Sequence, residues 1–193
     1  AIAPVDRNQA LTTIRNTGVV IPADATFNAP ELRQFTNLTN IIFPLSIAGT
    51  GVFNAPNLTD IGHLRIILTE GAQLTLPLVT QYEFFQCVNT IAFDLTSAGT
   101  RLSLPALTRL RVAADNCGTI IALTATNGAT LDLSNLTQLE TPTNQNVNLN
   151  AIGQDSLIDL SSLAAFNTDR VSTNAQSGGI ILLGQSEGAG EGE

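Results

Sequence analysis

Asp132 in "LDLSNLTQL" (131–139) and Asp159 in "IDLSSLAAF" (158–166) hold the same place in two nearly identical phrases. If such phrases stack as neighbouring strands, the two carboxylates stand roughly 5 Å apart, the separation used by retaining glycosidases. Two carboxylates so placed are also a weak candidate for holding Ca²⁺, a cation that takes oxygen ligands. In the other phrases this position is Asn, Thr or Ser, and no arginine or aromatic residue is expected beside the pair. Like charges on a wet surface are tolerated at high dielectric, so the plainer reading is a solvated polar ladder. Asp94 is a third carboxylate that a carbohydrate-handling protein could recruit.

Three other features carry potential chemistry. Cys87 and Cys117 occupy almost equivalent places, "CVNTIAF" against "CGTIIAL". Stacked, their Cα atoms would be about 4.8 Å apart, within reach of a disulfide. Two buried thiols in an internal ladder fit the pattern equally. His63, the single histidine, has no partner at metal-ligand or catalytic spacing and is expected to be a solvated or turn residue. "NLT" at 37–39, 57–59 and 135–137 matches the N-glycosylation acceptor pattern. Asn and Thr at a chain corner also hydrogen-bond local backbone, and that structural role is the expectation here. No catalytic or cofactor-binding residue is assigned.

What positions these residues is a repeat. The phrase occurs at 27–35, 53–61, 74–82, 102–110, 131–139 and 158–166, with spacings of 26, 21, 28, 29 and 27 residues. Its first apolar position runs Phe27, Phe53, Leu74, Leu102, Leu131, Ile158, and its closing one Phe35, Ile61, Tyr82, Leu110, Leu139, Phe166. Between them comes a corner at Pro30, Pro56, Pro77 and Pro105, then Ser134 and Ser161. Alternation at the start of each phrase is the period of a half-buried strand, and proline suits a corner that needs no backbone donor. "LTTI" at 11–14 is a weaker echo, 21 residues ahead of its match. Second strand-like runs follow at 40–47, 64–70, 90–96, 119–125 and 179–183, joined to the next copy by glycine-bearing turns. Units this short leave no comfortable room for a full helix, and none can cover its own apolar side, so they must stack.

The expected fold is therefore all-β: a parallel β-solenoid of about six or seven coils, right-handed like other parallel crossovers. A leucine-rich horseshoe is the rival, suggested by "LTRLRVAADN" (107–116), but its regular asparagine does not recur. Residues 1–26 read as a cap or imperfect first coil, 27–183 as the solenoid, and 184–193 as an acidic Gly/Glu tail or linker. The opening "AIAPVDRNQA" carries neither an initiating Met nor a signal-peptide pattern, as expected of a matured chain or a segment of a longer one.

The phrases "FNAPNLTDI", "LSLPALTRL" and "LDLSNLTQL" resemble the degenerate β-solenoid repeats of large bacterial cell-surface and secreted proteins. They are also similar to the leucine-rich solenoids of receptor and fungal cell-wall L-domains. The resemblance implies an extracellular or cell-surface location and a structural or adhesive role, and it supplies no site residue. Bulk chemistry excludes other classes. A net charge of −8, with eight arginines and no lysine, makes a poor nucleic-acid binder. No apolar run reaches the roughly 18 residues that span a membrane, so no membrane insertion is expected. Expected partners are further copies end to end, other surface proteins or glycans. The alternatives are a polysaccharide-binding or polysaccharide-cleaving β-helix and a leucine-rich recognition domain.

Overall fold

The computed structural model describes residues 11–39, 41–84, 89–112, 118–141, 145–163 and 170–184. Among them are nineteen strands and no helix, and every strand pairing is parallel. The chain is a β-solenoid, and the helical horseshoe is excluded.

Three faces enclose one apolar column. The first is a continuous sheet of seven strands: Val19–Ile21, Pro44–Ala48, Arg65–Thr69, Thr90–Thr96, Ile120–Thr126, Asn146–Ile152 and Val171–Gln176. The second holds the phrase-opening strands in two pieces, Thr26–Asn28 with Val52–Asn54, then Gln73–Thr75 through Arg101–Ser103, Thr130–Asp132 and Leu157–Leu160 to Ile180–Leu183. The third, of phrase-closing strands, is also divided: Thr13–Arg15 with Gln34–Thr36, and Gln81–Phe84 with Arg109–Val112 and Gln138–Glu140. Register follows the repeat: Leu74, Leu102, Leu131 and Ile158 are ladder partners, as are Tyr82, Leu110 and Leu139. The faint echo at 11–14 is real, because Ile14 pairs with Phe35.

Side chains at alternate positions point inward and are sealed from water. Leu102, Leu107, Leu110, Leu131 and Leu136 are all completely buried. Burial of each such side chain contributes about 1.5–3 kcal/mol. Aromatic residues also pack between coils, with Phe27 and Phe53 stacked at 5.5 Å between ring centroids and Tyr82 tilted against Phe93 at 4.9 Å. One corner is a tight turn closed by Leu32 N–H to Ala29 O, Leu58 to Ala55, Leu107 to Leu104, Leu136 to Leu133 and Leu163 to Leu160. Proline at the second place of the first three of these turns, Pro30, Pro56 and Pro105, presets the required φ. The glycine corner demands left-handed backbone. Gly128 has φ +84°, and a Cβ there would meet Ala98 Cα at 3.2 Å.

The "NLT" phrases are inter-coil staples. Asn57 Nδ2 donates to Pro30 O and Asn135 Nδ2 to Pro105 O, both at 2.8 Å. Thr59 and Thr137 hydroxyls donate to Arg33 O and Thr108 O of the preceding coil, both at 3.2 Å. Asn37 lies wholly inside, its amide donating to Phe43 O at 2.7 Å.

Two elements differ from the sequence expectation. "GIILL" joins the second face, with Ile180–Leu183 pairing to Leu157–Leu160, and the first face is continued instead by Asn146–Ile152 and Val171–Gln176. Asparagine is depleted in strands, so "NVNLNAI" hides a sound alternation behind residues of poor β propensity; its Val147, Leu149 and Ala151 are buried.

Candidate functional site

The structure makes Asp132 and Asp159 direct ladder partners, as their spacing implied. What surrounds each is a corner contact. The Asp132 carboxylate accepts both the amide and the hydroxyl of Ser134, at 3.3 and 2.8 Å. Its other oxygen accepts the Ser103 hydroxyl at 3.0 Å and pairs with the Arg101 guanidinium. Asp159 accepts the Ser161 amide at 3.0 Å. The expectation that no arginine stands beside this ladder is thus corrected: Arg101 reaches over from the preceding coil.

The reason for aspartate here is the corner. In four coils the residue two places on is proline, which has no N–H, and the outward residue is Asn28, Asn54, Thr75 or Ser103. In the two coils where serine replaces proline, the corner has a backbone donor, and an aspartate two residues earlier accepts it. Partial burial alone would push the Asp132 carboxyl up. The bonds from Ser134 and Ser103 and the Arg101 charge outweigh that and hold it below its usual value. A glycosidase acid needs a raised value instead. Among the described residues no group of three or more His, Cys, Asp or Glu converges to hold a metal ion.

Asp94 is on a different face, ion-paired with Arg65 at 3.0 Å, and does not join the other aspartates. Cys87 and Cys117 lie outside the described residues. His63 is a turn residue as expected, with φ 59°, but it is 1% exposed rather than solvated. Its ring packs on Phe84 at 5.6 Å, and burial lowers its pKa from 6.5 to about 4.

His63 marks the short coil. From the closing apolar residue to the ladder-matched residue of the first face, the chain runs 35 to 45 and 82 to 93 in neighbouring coils, but only 61 to 66 here. The buried Tyr82 hydroxyl secures this tight corner by donating to Leu64 O at 3.1 Å, and burial pushes its pKa up. Through this short coil the chain keeps register on the first face and on the third, where Asn37 N–H still reaches Gly62 O and His63 N–H reaches Glu83 O, while the second face divides between Val52–Asn54 and Gln73–Thr75. A cavity opens on the second face and another on the third at this level. One, of about 330 Å³, is lined by Gly49–Val52 and Gly71 with Gln73. The other, of about 240 Å³, is lined by Arg15, Thr36, Asp60, Gly62, Gln81 and Glu83 among others.

The third face also carries a charge ladder that the repeat alignment stopped one residue short of finding. Glu83, Arg111 and Glu140 are register partners immediately after the closing apolar column. Arg109 grips Glu140 with two bonds of 2.9 Å, which holds that carboxyl below its usual value. Arg111 bridges Glu83 and Glu140 more loosely, at 3.7 Å each. Comparison with protein-family models, curated proteins and solved structures returned no match.

Two measurements test these assignments. Asp159→Ala should destabilise the fold by about 1 kcal/mol in denaturant unfolding, and by much less in a Ser161→Pro background that lacks the donor. Equal costs in both backgrounds would contradict the corner role. Because the folded pKa of His63 lies below its unfolded value, the unfolded chain binds the extra proton between the two. Stability should fall as pH drops from about 6.5 towards 4. His63→Asn keeps a residue that tolerates left-handed backbone and should flatten that slope in thermal scans.

Proposed function

We propose that the chain is a non-enzymatic structural and adhesive β-solenoid of an extracellular or cell-surface protein. It serves as a rod segment continued at its C-terminal coil, or as a subunit that stacks there. The observation that carries this reading is the state of the last coil. Among the described residues, Val171–Gln176 and Ile180–Leu183 are edge strands, each paired on one side only. Thr173 and Ala175, the register partners of buried Leu149 and Ala151, are exposed. Ile180, Leu182 and Leu183 are 51%, 43% and 39% exposed, whereas Ile14 and Ile21 at the opposite end are buried.

Open edge donors and an uncovered apolar coil are the ingredients of strand addition. Outward positions that are Ser103, Asp132 and Asp159 in earlier coils become Leu182 in the last, where a polar side chain would serve an isolated end better. The carboxylates that a glycan-cleaving protein would need are held in corner and inter-coil bonds, which favours building over catalysis. The likeness of the phrases to bacterial surface repeats supports the cellular setting. Sedimentation across a concentration series, with electron microscopy, tests the proposal. End-to-end association is expected, and it should be abolished when Ile180→Asp and Leu182→Asp are combined. A chain monomeric at every concentration, or association indifferent to those substitutions, would contradict it.

A further inference from the structure

On the third face the outward column runs Arg15, Thr36, Gly62, Glu83, and at Gly62 it has no side chain. The gap is the floor of the cavity of about 240 Å³. Arg15 lies at one end and Glu83 at the other, three strand spacings or about 14 Å apart along the backbone. Asp60 and Gln81, from the adjacent outward column, form the side wall, and the exposed Leu38 supplies an apolar edge.

These charges are unspent, unlike others on the same face. Arg15 donates to Gln34 at 3.1 Å and, among the described residues, makes no ion pair. Asp60 gives one oxygen to the Gly62 amide at 3.0 Å and keeps the other. Among the described residues, Glu83 has only its 3.7 Å contact with Arg111. Glu140, by contrast, is gripped through both oxygens by Arg109. The floor is firmly held, because Asn37 N–H donates to Gly62 O at 3.1 Å and His63 N–H to Glu83 O at 2.9 Å. Arg15 stands at one end, Glu83 at the other and Asp60 beside the notch, so charges of both signs line one cavity.

We infer that this cavity is a binding site for a small zwitterion of the α-amino-acid class, its carboxylate on Arg15 and its ammonium on Asp60 and Glu83. A neutral ligand would gain little from separated charges, and a simple cation would leave Arg15 unmatched. The cavity is smaller than the usual ligand pocket of about 300–1,000 Å³, which suits a small molecule. Charge-assisted hydrogen bonds at each end supply the recognition.

Calorimetric titration of the whole chain with L-alanine and L-glutamine tests this, alongside N-acetyl-L-alanine, which lacks the ammonium, and L-alaninamide, which lacks the carboxylate. At least one free amino acid should bind, each blocked form should bind roughly tenfold more weakly or worse, and Arg15→Gln should cost the free amino acid a similar factor. Gly62→Leu fills the notch without left-handed strain and should abolish binding while thermal unfolding confirms that the coil remains intact. No heat from either amino acid at about 10 mM would overturn the assignment. So would equal binding of the blocked forms, or binding of glucose that survives Arg15→Gln.

Discussion

Everything in this molecule depends on the parallel backbone ladder between successive coils. A coil cannot satisfy its own strand donors and acceptors, because its three faces point in different directions. Its partners are one coil up and one coil down, as when Arg101 N–H reaches Ala72 O and Thr130 N–H reaches Thr100 O. A one-residue slip would turn an inward leucine outward, so the apolar column and the ladder fix each other. The same dependence makes the ends special, since the last coil must leave one edge without a partner.

Corner chemistry follows from that ladder. A corner that begins with proline presents no surplus donor, whereas a serine corner does and must have an acceptor nearby. Asp132 and Asp159 provide it, and their carboxylates face each other because the corners are stacked. Asparagine and threonine in the "NLT" phrases do comparable work toward the preceding coil. Much of the polar side-chain inventory is therefore structural. The exception is the short coil at 61–66, beside which two cavities open and Arg15 and Asp60 are less committed than their neighbours.

The repeat was legible because inward positions must be apolar in every coil and proline recurs at one corner. Even the echo at 11–14 could be aligned by its leucine and isoleucine. Asn146–Ile152 was hidden because its outward residues are asparagines, whose propensity argues against a strand that tertiary pairing nonetheless imposes. "GIILL" was assigned to the wrong face because apolar content alone does not say which ladder a run will join. His63 looked solvated because its polarity outweighed the clue in its neighbours. A corner of five residues has no slack to swing the ring outward. The Arg101 contact to Asp132 spans 31 residues and rests on long side chains, whose reach a linear alignment does not show.

Residue-resolved amide hydrogen exchange examines the ladder most directly. If the first face stays zipped as one continuous seven-stranded sheet through the short coil, amides of Leu123 and Leu149 should exchange slowest. Those of Gln73 and Thr75, across the division of the second face, should exchange far faster than Ser103 and Leu131 in the intact part of that same face. Equal protection of Gln73, Thr75, Ser103 and Leu131 would show that the second face is not divided at the 21-residue unit, and would contradict this account.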